Sequence, residues 1–215
     1  ASILNVKFFK SVILSRAAMT YAQAQERIDL ELEDCTTTEL KEKYNSPLTS
    51  ACKNLMKLAR LIKARRISQG ALTLASTEVK FKMNANRTVA EDLSTYQLKE
   101  TNSLVEEFML LANVSVAEHI LRHFPLLALL RGHPTPPEEM LLPLVKAAKS
   151  WGFNIDVTDG KALNDSLDKI IDEDNPMFNK VLRVLTTRCM TQAKYLCSGE
   201  IANLKQLHHF GLACT

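Results

Sequence analysis

Several groups of residues in this 215-residue chain have types and spacings that could do chemistry. Asn102, Glu106 and Asn113 fall within a narrow strip of one helix when each residue turns it by about 100°. A carboxylate and two amides in such a strip can bond the hydroxyls of a ligand lying along it, or simply face water. Tyr21 with Arg16 offers a phenol and a guanidinium that could hold a phosphate, although an isolated tyrosine more often packs half-buried. Cys189, Cys197, His208, His209 and Cys214 are zinc-ligand types, but their spacings contain no C-x₂-C or H-x₃-H pairing. Asp156, Asp159, Asp165, Asp168, Asp172 and Asp174 match no calcium loop and read as a solvated face and helix caps. Lys53, Lys57, Arg60 and Lys63 form a basic edge, a weak phosphate-binding hint beside the plainer reading of a solvated face. There is no G-x-S-x-G, Gly-rich phosphate loop or H-E-x-x-H.

The elements that must position these groups alternate between helices and short strands. The central one is a helix over roughly Leu98 to His123. Leu104, Phe108 and Leu111 line one apolar edge of it, and Val105, Met109, Ala112, Val116 and Ile120 line another, which predicts burial over much of its circumference. Upstream, the Val, Phe and Ile content of Val6 to Leu14 suits a strand, and Thr20 can cap a helix starting at Tyr21 and ending near Glu31. A second helix follows Ser46-Pro47, with Leu48, Cys52, Leu55, Met56, Ala59 and Ile62 as its core face and Gly70 as its left-handed cap. Ala71 to Met83 reads as two strands or a hairpin, and Asn84 to Arg87 as a turn. Further on come a short strand at Ala128 to Arg131 and a helix opened by Pro137-Glu138-Glu139 that ends near Trp151-Gly152. A brief extended piece at Phe153 to Val157 precedes helices over Gly160 to Ile171 and Pro176 to about Cys189. The latter places Phe178, Val181, Leu182, Leu185 and Cys189 on one face; a strand at Ala193 to Cys197 follows. The fold class expected is α+β.

The composition, 46% hydrophobic and 24% charged, is that of a globular protein, and the net charge of +3 is too mild to imply nucleic acid by itself. No apolar run reaches the eighteen or so residues of a membrane span, and no secretory signal is visible. Five cysteines, an odd number without regular spacing, argue for free thiols in a reducing compartment. Asn86-Arg87-Thr88 and Asn113-Val114-Ser115 match the glycosylation pattern by chance on this reading. The residues alone leave function open.

Five blocks in order resemble one family. Ser15 to Gln25 is similar to the S-x-x-x-x-x-Y segment of RNase II-type (RNB) 3′→5′ exoribonucleases, and Arg65 to Leu72 to their R-R-x-x-x-G-A-L. Asn102 to Asn113 resembles the N-x-x-V-E-E-x-M-x-x-A-N helix; Arg188 to Tyr195 and His209 to Leu212 complete the series. The wording around Glu100 to Ser103, His133-Pro134 and Cys197 to Gly199 is most similar to the eukaryotic members that act within the RNA exosome.

The resemblance implies processive, Mg²⁺-dependent hydrolysis of single-stranded RNA from its 3′ end to nucleoside 5′-monophosphates. It implies other exosome subunits as partners and no membrane, with work in the nucleus and nucleolus and also the cytoplasm. By position, Tyr21 matches the tyrosine near the scissile phosphate and Glu106 the glutamate that holds the terminal nucleotide. Arg16, Arg66 and Asn102 are the RNA-binding candidates in the matching blocks. No metal ligand is expected here: the family's aspartate run should precede residue 1, and its arginine block should follow Thr215. Residues 1–215 thus read as the central part of the catalytic domain, inactive alone. Leu74 stands where bacterial members have a base-stacking phenylalanine, so base gripping differs. The alternatives are a non-catalytic RNA-binding or scaffold module and a helical protein-interaction domain.

Overall fold

A computed structural model describes residues 3–74, 79–83, 90–95, 98–173, 175, 177–200 and 209–212. Its contacts divide the chain into two units. One comprises Ala1–Ala64 and Gln97–Val116, and the other Arg65–Tyr96 and Ala117–Thr215.

The first unit holds α1 (Tyr21–Asp29), α2 (Thr38–Asn45), most of α3 (Pro47–Ser68) and the greater part of α4 (Glu100–His123). Thr20 starts α1 as read from the sequence, within a full capping box. Gln23 N–H donates to its hydroxyl at 3.3 Å, and the Gln23 side chain accepts from Thr20 N–H at 2.9 Å. Thr37 caps α2 through Leu40 N–H. Deep among α1, α2 and α3, Thr49 accepts from Arg27 Nη1 at 3.0 Å and donates to the Lys43 carbonyl at 2.6 Å. Met56 and Ala59 are buried on α3, whereas Leu55 is exposed, so the core face is narrower than the sequence suggests. The expected strand over Val6 to Leu14 does not form. Residues 3–20 carry no regular structure and are almost wholly exposed, because strand-prone residues need a ladder partner to become a strand.

The second unit is built on packing. Leu141, Leu144 and Ala148 of α5 (Glu138–Ser150) meet Leu163 and Leu167 of α6 (Gly160–Lys169), and Phe178, Leu182 and Cys189 of α7 (Phe178–Cys189). Leu72, Ile155, Ile170 and Phe210 complete this core. Val181, expected on the inward face of α7, is exposed instead. It lines an open apolar groove of about 350 Å³ between α5 and α7 with Trp151, Met177 and Leu185.

Two antiparallel ribbons belong to this unit. β1 (Val79–Met83) pairs with β2 (Ala90–Thr95), and β3 (Leu129–Gly132) with β4 (Lys194–Cys197). The second pair follows the sequence reading closely. The first moves it, since the hairpin spans 79–95 rather than two strands within Ala71 to Met83; the expected Asn84 to Arg87 turn lies outside the described residues. Gly70 (φ +101°) ends α3 as expected, and its carbonyl lies so close to Gly160 that an added Cβ there would stand 2.8 Å from it. Among the described residues, two short ribbons and seven α-helices make an α+β fold.

Candidate RNA-contact site at the head of α4

Four consecutive residues open α4, and each bonds a different group. Glu100 holds Arg60 of α3 in a fork, at 2.7 Å to Nε and 2.6 Å to Nη2. Thr101 donates its hydroxyl to the Tyr21 carbonyl at 3.0 Å and its N–H to Gln25 Oε1 at 3.0 Å. Asn102 Oδ1 accepts from Lys99 N–H at 3.0 Å, which secures the helix start. Ser103 accepts from Lys63 Nζ of α3 at 2.9 Å. Successive residues project about 100° apart, so four of them can reach all round the first turn. The head of α4 is therefore fixed to α1 and α3 by polar bonds.

These bonds account for most of the basic edge. Lys53 donates to the Leu30 carbonyl at 2.5 Å and approaches Glu31 at 3.5 Å, Arg60 pairs with Glu100, and Lys63 reaches Ser103. Three of its four cations tie α3 to neighbouring elements. The Arg60 bond holds the Glu100 carboxyl below its ordinary range, opposed by desolvation, and the same bond raises the guanidinium of Arg60.

Below the fixed head, the two neighbouring glutamates part. Glu106 is exposed, whereas Glu107 is fully buried. Helical geometry explains the contrast. Glu107 lies three residues after Leu104 and four before Leu111, on the half-buried apolar edge, and Glu106 lies about 100° round from it. That spacing was the available sign of Glu107, which the sequence reading passed over. The other apolar edge is not covered as expected, for Val105, Met109 and Val116 are all exposed. Asn102 is half-buried and Asn113 exposed.

Tyr21 is the first residue of α1 and is 41% exposed; among the described residues no group bonds its hydroxyl. The Thr101 bond sets its backbone beside the first turn of α4. Glu106 lies about 7.5 Å along the axis from Thr101 and about 140° round it. The tie thus fixes Tyr21 close to the helix that carries the polar strip, without placing both side chains on one face of that helix. Arg16 lies exposed in the segment without regular structure. Arg66 belongs to the other unit, half-buried in the last turn of α3, and Leu74 in that unit is partly exposed.

The remaining candidates have structural surroundings. Cys189 is buried in the core of its unit, where desolvation pushes its thiol up, and Cys197 Sγ lies 3.4 Å from the Leu126 carbonyl. His208 and Cys214 lie outside the described residues. Asp156 accepts from Thr158, Asp159 caps α6, and Asp168 pairs with Arg183, as a face of caps and surface pairs should. Among the described residues no group of three or more His, Cys, Asp or Glu side chains could hold a metal ion. These residues do not make a magnesium site. No described helix is long and apolar enough to cross a membrane.

The profile of the RNB domain matches residues 1–215, and the chain belongs to the RNB family. It is 48% identical over 214 residues to the exosome complex exonuclease RRP44 homolog A of Arabidopsis thaliana, and 47% over 213 residues to exosome complex exonuclease RRP44 of Homo sapiens. Each alignment covers 99% of this chain and 21% of the relative, so the chain spans about a fifth of the length of these curated relatives. Among solved structures, Mycoplasma genitalium RNase R in complex with ribose methylated single-stranded RNA superposes with a TM-score of 0.66 at 20% identity, covering 90% of this chain and 28% of that one. Yeast Ssd1, described as a pseudonuclease, superposes with a TM-score of 0.60 at 22% identity, covering 91% of this chain and 22% of that one.

Proposed function

We propose that the protein carrying this chain is a 3′→5′ exoribonuclease that acts as the catalytic subunit of an RNA exosome. It removes nucleotides one after another from single-stranded RNA. In each step water attacks the terminal phosphodiester phosphorus and the 3′ oxygen of the preceding nucleotide leaves. The phosphate stays on the departing nucleoside as its 5′-monophosphate. A divalent cation, Mg²⁺ by analogy with the family, would activate the water and steady the leaving oxygen, held by ligands other than the described residues. Tyr21 contacts the RNA beside the scissile phosphate, and Glu106 accepts bonds from the ribose hydroxyls of the terminal nucleotide. A carboxylate reading the 2′ hydroxyl selects RNA over DNA. Arg16 and Arg66 contribute phosphate contacts, and Asn102 borders the strip that Glu106 leads. Nuclear and nucleolar RNA processing, together with cytoplasmic decay, is the setting.

One observation carries the residue assignment: of the two adjacent glutamates, Glu106 is exposed and Glu107 buried, on a helix whose first turn holds Tyr21. The relatives named as exosome exonucleases support the activity. The test is product analysis on uniformly labelled and 5′-labelled single-stranded RNA with the protein at full family length. Nucleoside 5′-monophosphates are expected from a uniformly labelled strand, and a short 5′-labelled end product without a ladder of intermediates from the end-labelled one; internal cuts or 3′-phosphorylated products would contradict the reading. The 215-residue chain alone is expected to release none above a contaminant control.

A second reading has one observation in its favour, the likeness of the fold to a protein described as a pseudonuclease. In that case the chain serves a non-catalytic RNA-binding scaffold. The same assay then shows salt-dependent retention of RNA without any monophosphate. A protein-interaction domain would retain no RNA at either low or high salt.

A further inference from the structure

The bond between Thr101 and Tyr21 has a geometry that general docking of two helices does not require. Thr101 is 3% exposed, and its hydroxyl goes to the carbonyl of Tyr21 itself, the one residue of α1 assigned to the substrate. Its N–H goes to Gln25 Oε1, one turn further along α1. The Gln25 amide is turned the right way by its own donation from Nε2 to Asp29 Oδ1 at 2.9 Å. On the other flank, the Thr20–Gln23 capping box fixes the residue before Tyr21. The Tyr21 backbone is thus held from its own helix and from α4, while its ring remains partly exposed. Attachment of α3 to the head of α4 does not depend on Thr101, since Glu100 and Ser103 supply it through Arg60 and Lys63.

We propose that Thr101 is a positioning residue, holding the Tyr21 backbone so that the phenol is aimed at the RNA. The inference rests on the reading of Tyr21 given above. With the backbone fixed, a tyrosine ring has few remaining torsions, and its reach is set before substrate arrives. Without the hydroxyl, the first turn of α1 can drift, and small misplacements at a reacting centre are costly.

The test uses the protein at full family length and compares Thr101→Val, which keeps the shape but removes the hydroxyl, with Thr101→Ser, which retains it. Single-turnover rates and affinity for long single-stranded RNA are measured with Tyr21 present and in a Tyr21→Ala background. Thr101→Val should slow the chemical step roughly 10-fold while leaving RNA affinity within about twofold. Thr101→Ser should recover most of the rate. In the Tyr21→Ala background, Thr101→Val should change nothing further, because a residue acting only through Tyr21 has nothing left to act on. An undiminished rate for Thr101→Val, or an equal loss with and without Tyr21, overturns the positioning role. A Tyr21→Ala protein as fast as its parent instead overturns the reading of Tyr21, and this inference with it.

Discussion

The two units of this chain are held by different forces. In one, α5, α6 and α7 close over a continuous apolar core, with Leu144, Leu163, Leu167 and Leu182 wholly out of water. In the other, few apolar side chains are fully buried, and the head of α4 is fixed by four adjacent polar residues. Packing is broad and nondirectional, so it builds a body. Hydrogen bonds are directional, and they fix where a particular backbone sits. The unit that bears Tyr21 and Glu106 is the one arranged by directional bonds, which suits the substrate contacts proposed for these two residues.

Substitutions in the two units should have different consequences. The largest stability effect is expected in the packed unit. Leu182→Ala removes a wholly buried side chain of α7 and should cost about 2–5 kcal/mol by denaturant unfolding. Val181→Ala, one residue away but exposed, should cost less than about 1 kcal/mol. Similar losses at both positions would mean that the core is not where the packing puts it.

In the polar unit, Glu100→Gln weakens the fork to Arg60. Both side chains are about half exposed (43% and 56%), so the loss should be only about 0.5–1 kcal/mol. Its pH dependence has a definite sign. Arg60 lowers the folded carboxyl below its unfolded value, so the bond stabilises fully above the ordinary glutamate range. That contribution disappears as pH falls through the unfolded value to the lowered folded one, and the Glu100→Gln variant should lack this part of the acid dependence. The smallest effect concerns RNA. Because Arg60 already has a carboxylate partner, Arg60→Ala should leave the salt slope of RNA binding unchanged within about half a unit, whereas a phosphate contact would reduce it by about one.

Much of this arrangement can be read from the sequence where a single residue determines local geometry. Thr20 marks the start of α1, Gly70 the end of α3, and the Pro137-Glu138-Glu139 run the start of α5. β3 and β4 are legible from their short apolar runs. Features that depend on partners are less so. α2 escapes notice because Thr38–Asn45 has only Leu40 and Tyr44 among polar residues and fully buries none, and β2 because its Ala90–Thr95 sequence has little strand character. Val6 to Leu14 shows the converse, strand composition without a strand. The basic edge of α3 reads in sequence as a solvated face with a weak hint of phosphate binding, and only the fold reveals that Glu100, Ser103 and the Leu30 carbonyl occupy most of it. At the site, the strip pointed to Glu106, and the Leu104–Glu107–Leu111 spacing was the sign of Glu107, although only the fold shows which of the two apolar edges is covered.

The decisive measurement is turnover and binding, determined separately for Glu106→Ala and Tyr21→Ala in the protein at full family length. Most affinity for long RNA should come from backbone contacts elsewhere, so each substitution should slow release of nucleoside 5′-monophosphate at least about tenfold while shifting the dissociation constant by no more than about threefold. Equal losses in rate and affinity, or full turnover in either variant, would contradict the roles assigned to these two side chains.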